Sequence, residues 1–312
     1  LSIRRQRQMC IRDRPEGCWT VRGASSSKGA LGFARVEPSL QIFSTPALKR
    51  VNMEPRTVLN FRGGRPSGSP QVLLNYSPVA RKPWRLKATL DKDGLALTSS
   101  FSAIRARTGG PSAVYLWAIL NSPIANAFAF AKLGKRHNLV GTMLCMPMPR
   151  RSPSRDAPIE QAATRYRWLA IAKATAKSEM SNLFHSKSQP GTHPPTDGEI
   201  RTALLEMDAA VLRAYDLPPR LERQLLDLFT GVERKGVGLD GADGHSTFRG
   251  YYPPGFTSAL PLHMVISDRF KRAAADKTAE RFTPGASTLS LIHISEPTRL
   301  RRTSYAVFCL KK

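Results

Sequence analysis

The sequence predicts a mixed α/β first half followed by a helical second half, and three observations carry that prediction. Residues 84–90 alternate apolar and polar side chains with the period of two that a strand requires. Residues 108–131 carry no charge, which suits a pair of core helices. Residues 196–231 place apolar side chains at helical spacing between a capping signal and a closing glycine.

The two ends are set aside first. Arg4-Arg5-Gln6-Arg7-Gln8-Met9-Cys10-Ile11-Arg12-Asp13-Arg14 resembles one reading frame of a common transposase adapter. Leu289-Ser290-Leu291-Ile292-His293-Ile294-Ser295-Glu296-Pro297-Thr298-Arg299 resembles its partner adapter, and Ser304-Tyr305-Ala306-Val307-Phe308-Cys309-Leu310 the primer end that follows. Residues 1–14 and 289–312 therefore read as translated adapter scars, and the chain between them as a fragment lacking its true start and any domain upstream. Without them the net charge falls from +25 to +17, and two cysteines remain, Cys18 and Cys145. Two thiols without Cys-x-x-Cys spacing support neither a disulfide framework nor a zinc ribbon, and point to a reducing, cytoplasmic compartment.

Residues 15–70 are rich in Ser, Gly, Pro and Arg and read as loops, with one short strand at most around Leu40-Gln41-Ile42-Phe43. Residues 71–155 form the expected basic α/β domain. Gln71-Val72-Leu73-Leu74-Asn75-Tyr76 is a short apolar strand. Trp84, Leu86, Ala88 and Leu90 then alternate with Arg85, Lys87, Thr89 and Asp91, and Lys92-Asp93-Gly94 turns the chain into Leu95-Ala96-Leu97-Thr98. Alternation around an Asp-Gly turn predicts a β-hairpin whose polar face carries Arg85 and Lys87. Residues 113–121 and 123–133 are the two core helices. Asn121-Ser122-Pro123 and Asn126 interrupt the apolar run, which argues against a membrane span. Residues 140–148 read as a closing strand.

Residues 156–288 form the expected helical domain. Asp156 caps a helix with Pro158 in its first turn, running to about residue 182. Thr196-Asp197-Gly198-Glu199 is a capping box, and Ile200, Leu204, Met207 and Val211 follow at helical spacing. Asp216-Leu217-Pro218-Pro219 turns into a second helix with Leu221, Leu225, Leu228 and Phe229 on one side. The two predict an antiparallel helical hairpin. Residues 234–256 are a Gly-rich loop, and 258–282 hold one further helix.

Charge is segregated along this frame. Residues 15–155 hold 21 Lys and Arg against 5 Asp and Glu, whereas residues 156–288 hold 17 against 16. Asp91 and Asp93 are the only acids between Glu54 and Asp156. A surface that nearly excludes acids is the footprint expected for a polyanion. The residues expected to bind DNA are Arg81, Lys82, Arg85, Lys87, Arg105, Arg107, Lys135, Arg136 and His137, the last seven on one shared face. A free-standing basic RNA-binding or ribosome-associated protein without enzymatic activity is the alternative. It would favour exposed aromatics, whereas Trp84, Trp117 and Trp168 fall on predicted apolar faces. A third reading is a helical interaction protein whose basic half is incidental.

No catalytic constellation is complete. Gly236-Val237-Gly238-Leu239-Asp240-Gly241 matches the dinucleotide fingerprint in letters, but a helix precedes it where a strand is needed, so it reads as a mobile loop. Glu233-Arg234-Lys235 behind Asp227 has the letters of a metal-dependent nuclease, yet sits where cations complement a helix C-terminus. Neither His137, His185, His193, His245 nor His263 has metal-ligand spacing to another His or Cys, so no metal is expected. No Asn-Pro-Pro-aromatic sequence occurs.

Several phrases between residues 71 and 282 together resemble the C-terminal, target-recognition portion of bacterial N6-adenine DNA methyltransferases of restriction–modification systems. They are Gln71-Val72-Leu73-Leu74-Asn75-Tyr76, Pro83-Trp84-Arg85-Leu86-Lys87-Ala88, Leu120-Asn121-Ser122-Pro123-Ile124-Ala125-Asn126 with Lys135-Arg136, Met146-Pro147-Met148-Pro149, and Leu212-Arg213-Ala214-Tyr215-Asp216-Leu217-Pro218-Pro219-Arg220. The resemblance implies a module that binds double-stranded DNA and works with an N-terminal methyltransferase domain. S-adenosylmethionine and the catalytic motif would belong to that upstream domain, leaving this fragment without a cofactor and inactive alone.

Overall fold

The structure is a computed structural model and describes residues 30–33, 35–37, 39–51, 67–98, 100–106, 109–133, 137–138, 140–182, 194–239, 247–252 and 256–272. Both sets of expected adapter residues lie outside them, as do Arg107, Lys135 and Arg136. The fold is mixed α/β, with short strands in the first half and helices after them.

Six strands form two three-stranded sheets. In one, β1 (Ala30–Phe33) lies between β2 (Leu48–Val51), antiparallel, and β5 (Ala96–Leu97), parallel. In the other, β3 (Gln71–Asn75) lies between β4 (Ala88–Asp91) and β6 (Phe101–Ile104), antiparallel to both. Phe33, Leu40, Leu73, Leu97, Phe101 and Ala103 fill a shared core cluster, with the Phe33 and Phe101 rings edge to face at 6.3 Å.

The expected hairpin does not form, because β4 and β5 join different sheets. The Asp91 carboxylate accepts the N–H groups of Asp93, Gly94 and Leu95. That makes the Lys92-Asp93-Gly94 turn a side-chain-closed corner between sheets. Residues 84–87 run extended and buried before β4. The Asn126 Oδ1 accepts from the N–H groups of Arg85 and Leu86, and the Asn75 Oδ1 from that of Lys87. Asparagine side chains thus take the backbone bonds that a hairpin partner would have made.

The helices α1 (Ala113–Asn121) and α2 (Pro123–Leu133) match the expected bounds. Ser112 caps the first by accepting the Tyr115 N–H, and the two helices bend by 59° at Ser122. Among the described residues no single helix is long and apolar enough to cross a membrane. The expected strand over 140–148 is instead a short helix, α3 (Val140–Met143), followed by turns. Met143 and Met146, three apart, are both buried, a spacing that suits a turn of helix and not a strand.

The long helix α4 (Pro153–Asn182) packs against α1 and against α5 (Asp197–Tyr215). The capping box at Thr196 and Glu199 is present in both directions, and Ile200, Leu204, Met207 and Val211 are buried as expected. Asp216 ends α5 in the left-handed region at φ 54°. The helix α6 (Pro219–Asp227) exists, but it packs against α2, and the main helical partner of α5 is α4. Glu222, Leu226 and Phe229 face inward, while Leu221 is 52% exposed. Of the expected seam Phe229 is buried, whereas the inward position beside Leu221 is taken by Glu222, whose carboxylate accepts the Leu262 N–H at 2.6 Å. A further short helix, α7, covers Leu262–Val265, and residues 268–272 are again helical. The described residues up to His263 belong to one compact unit and those from Met264 to a second.

Both expected domains contribute to the first unit. The Trp117 ring of α1 stacks on the Tyr166 ring of α4 at 6.1 Å, its Nε1 donates to the Ile42 carbonyl, and Tyr166 donates to the Val237 carbonyl.

Candidate nucleic-acid interface

The expected binding residues fall into three groups. Arg81 and Lys82 are exposed on the loop that leaves β3, and His137 is exposed beyond the end of α2. Arg85 and Lys87 are buried, at 0% and 3% exposure, so the solvated hairpin face drawn from period-two alternation is corrected. Alternation assigns polar residues to water only when one side of the strand is wet. Here α2 covers one side, and on the other the Lys87 ammonium donates to the Leu40 carbonyl at 2.5 Å. Burial, with Lys235 nearby, pushes the Lys87 ammonium down to about 8, and burial also lowers Arg85.

Arg105 forms the third group. It is half-buried and its Nε donates to the Gln71 Oε1 at 2.8 Å. The antiparallel register puts Gln71 and Asn75 at opposite ends of β3. Arg105 therefore lies about 13 Å along the sheet from the strand end that leads to Arg81 and Lys82. Of the described members of the expected face, Arg105 and His137 thus lie toward opposite ends of β3, and Arg85 and Lys87 are buried.

The end of β3 that meets His137 has a defined local geometry. The His137 imidazole stacks on the Tyr76 ring, with centroids 4.7 Å apart and planes inclined by 10°. Buried Asn138 fixes this register, donating its backbone N–H to the Tyr76 carbonyl and its Nδ2 to the Asn75 carbonyl, both at 2.8 Å. The Ser77 hydroxyl lies 3.3 Å from the His137 Nδ1. Lys132, exposed in the last turn of α2, precedes His137 by five residues.

Two motifs set aside in the sequence have structural employment. Gly236 and Gly238 adopt positive φ, and their loop is packed over its described part. The Gly236 carbonyl accepts the Ile42 N–H, the Gly238 N–H donates to the Gln41 Oε1, and Val237 is buried. A Cβ at Gly236 would stand 2.6 Å from the Leu40 oxygen, which leaves no cradle for a phosphate or a nucleoside.

Arg234 does not complement a helix end. It is buried, donating to the Asp208 carboxylate at 2.5 Å and to the Asn121 carbonyl at 2.6 Å, with its guanidinium 4.2 Å from the Trp84 ring centroid. The Tyr251 hydroxyl also donates to Asp208. Burial works against the guanidinium charge, but the neighbouring Asp208 carboxylate prevails and holds Arg234 above its ordinary value. No sequence signal announced this node, since its members lie far apart along the chain. Among the described residues no group of three or more His, Cys, Asp or Glu is placed to hold a metal ion.

Trp84 and Trp117 are buried as expected, but Trp168 is 67% exposed on the outer side of α4, near exposed Ile171. The apolar-face assignment of Trp168 is therefore corrected.

No protein-family model matches this chain, and no curated protein matches it. Among solved structures it is similar to the Type IIL restriction–modification enzyme MmeI, determined in complex with DNA. The identity is 15%, the TM-score 0.33, and the match covers 51% of this chain and 20% of that one. The matched part thus spans about a fifth of that enzyme's length.

Proposed function

We propose that this chain is a duplex-DNA recognition module of an N6-adenine DNA methyltransferase or of a combined restriction–modification enzyme. The observation that carries the reading is the scarcity of exposed acid among the described residues between 67 and 155. Of the two carboxylates between Glu54 and Asp156, Asp91 is buried and holds Gln71 and its own turn, which leaves Asp93 in solvent. Against it stand exposed Arg81, Lys82, Lys92, Lys132 and Arg150, while exposed Arg151 pairs with Asp156 at 2.9 Å. Such an imbalance favours a phosphate backbone and disfavours most protein surfaces.

The resemblance in sequence supports the same reading, because its phrases meet in space. Asn126 bonds the backbone of Arg85 and Leu86, Asn121 bonds both backbone groups of Ala88, and the Tyr215 hydroxyl donates to the Pro147 carbonyl. On this proposal methyl transfer and S-adenosylmethionine belong to an N-terminal methyltransferase domain.

Affinity of the full chain for a labelled duplex, measured by anisotropy against salt, tests the proposal. Each lost phosphate contact lowers the slope of log affinity against log salt by roughly 0.9. Replacing Arg81, Lys82 and Lys132 together by Ala should reduce the slope by about 2 to 3. Replacing Arg213, Arg220 and Arg249, exposed in the charge-balanced half, should change it by less than about 1. Equal losses in both variants, or no salt-dependent binding, would sink the reading.

A further inference from the structure

We propose that the Tyr76–His137 pair is a stacking platform for one unpaired nucleobase, with Arg81 and Lys82 holding the adjoining phosphates; this rests on the DNA reading above. A phosphate-binding histidine needs only to reach an anion. Here the ring is instead held flat against a second aromatic ring, 4.7 Å away and within 10° of parallel. The holding groups form a small frame. Asn138 is bonded twice to the end of β3, Ser77 stands at the His137 Nδ1, and the Tyr76 N–H donates to the Ser100 carbonyl at 2.8 Å. One face of the imidazole is used by half-buried Tyr76, and His137 itself remains exposed.

A flat aromatic face at the start of a loop whose exposed cations, Arg81 and Lys82, follow Ser77 by four and five residues matches a nucleotide in both its parts, base and phosphate. The bases inside an intact duplex have both faces occupied by their neighbours. The partner of the His137 face must therefore be a base turned out of the stack or already unpaired. The platform would favour DNA that is locally opened over DNA that is fully paired.

The test uses the full chain and two duplexes of one sequence, one fully paired and one with a single 2-aminopurine opposite an abasic site. Binding is followed by end-label anisotropy and by the 2-aminopurine fluorescence. The wild type should prefer the opened duplex by about tenfold and quench its 2-aminopurine, as one stacked base allows. His137→Ala should bring the preference to about one, and His137→Phe, which keeps a flat ring, should retain most of it. Preference that survives His137→Ala, or that is lost in His137→Phe, overturns the platform. Wild-type binding to both duplexes without preference overturns the platform alone and leaves the DNA reading standing. Binding to neither overturns both. A His137-dependent preference for single-stranded RNA of the same sequence, with no binding to paired DNA, would keep the platform and overturn the DNA reading.

Discussion

Arg234→Met should be among the most destabilising single substitutions in this chain. It leaves the fully buried Asp208 carboxylate without its cation, a loss of about 3–5 kcal/mol for a buried pair broken on one side. The Asn121 carbonyl loses a donor, worth about 1 kcal/mol, and the Trp84 face loses a cation worth about 0.5–2 kcal/mol. Against a total stability of about 5–15 kcal/mol, this moves the urea midpoint far to the left. The cost should also depend on pH. Burial already holds the Asp208 carboxyl above its ordinary value beside Arg234, and loss of the cation raises it further, so the added penalty is absent when both states are protonated and grows as pH rises. The gap between variant and wild type should therefore be smaller at pH 5 than at pH 8. In the double variant Asp208→Leu with Arg234→Met, no uncompensated charge remains, and the loss should fall short of the sum of the singles by at least about 1 kcal/mol. Single variants that each cost under about 1 kcal/mol, or strict additivity, would refute the account of this node as a coupled pair.

Two other perturbations follow from the fold. Lys87 has a folded pKa of about 8 against an ordinary 10.5, so between these values the unfolded chain holds the proton more tightly. Wild-type stability should rise by about 1–3 kcal/mol relative to Lys87→Met as pH goes from 8 to 10.5, read by urea unfolding, and parallel pH profiles would refute it. Gly94→Ala should cost at least about 2 kcal/mol. Its φ is +63° and a Cβ would stand 2.4 Å from the Ser67 hydroxyl and 2.5 Å from the Ser69 backbone, so an unchanged melting midpoint would show that the corner can open.

Helices were legible where the signal was local. The bounds of α1 and α2 follow from Ser112, Ser122 and Pro123, and α5 begins at its capping box, because a cap and its helix are neighbours in sequence. Strand pairing was not legible. The Asp-Gly turn is real, but what β4 and β5 pair with was decided by β3 and β1, which lie elsewhere in the chain. The same distance hid the candidate site. Tyr76 and His137 are 61 positions apart, and no periodicity links them. Arg85 and Lys87 were misplaced for a different reason, since their alternation is correct but both of their surroundings are dry.

The burial of Arg85 and Lys87 changes what can be asked of the residues that carry the resemblance. Asn75, Asn121, Asn126 and Tyr215 hold backbone groups of other phrases, so the likeness in sequence describes a scaffold. A scaffold shared between proteins cannot by itself distinguish one DNA site from another. Discrimination must come from side chains that reach past the phosphates to base edges, and these have to be exposed. On the proposed reading they lie on the loop after β3, around Arg81 and Lys82, and beside His137. Loss of binding on replacing Arg85 or Lys87 would report a collapsed core as readily as a lost contact. Altered site preference on exchanging residues 77–82, with the melting midpoint preserved, is the outcome that a recognition surface requires, and an unchanged preference would place discrimination elsewhere.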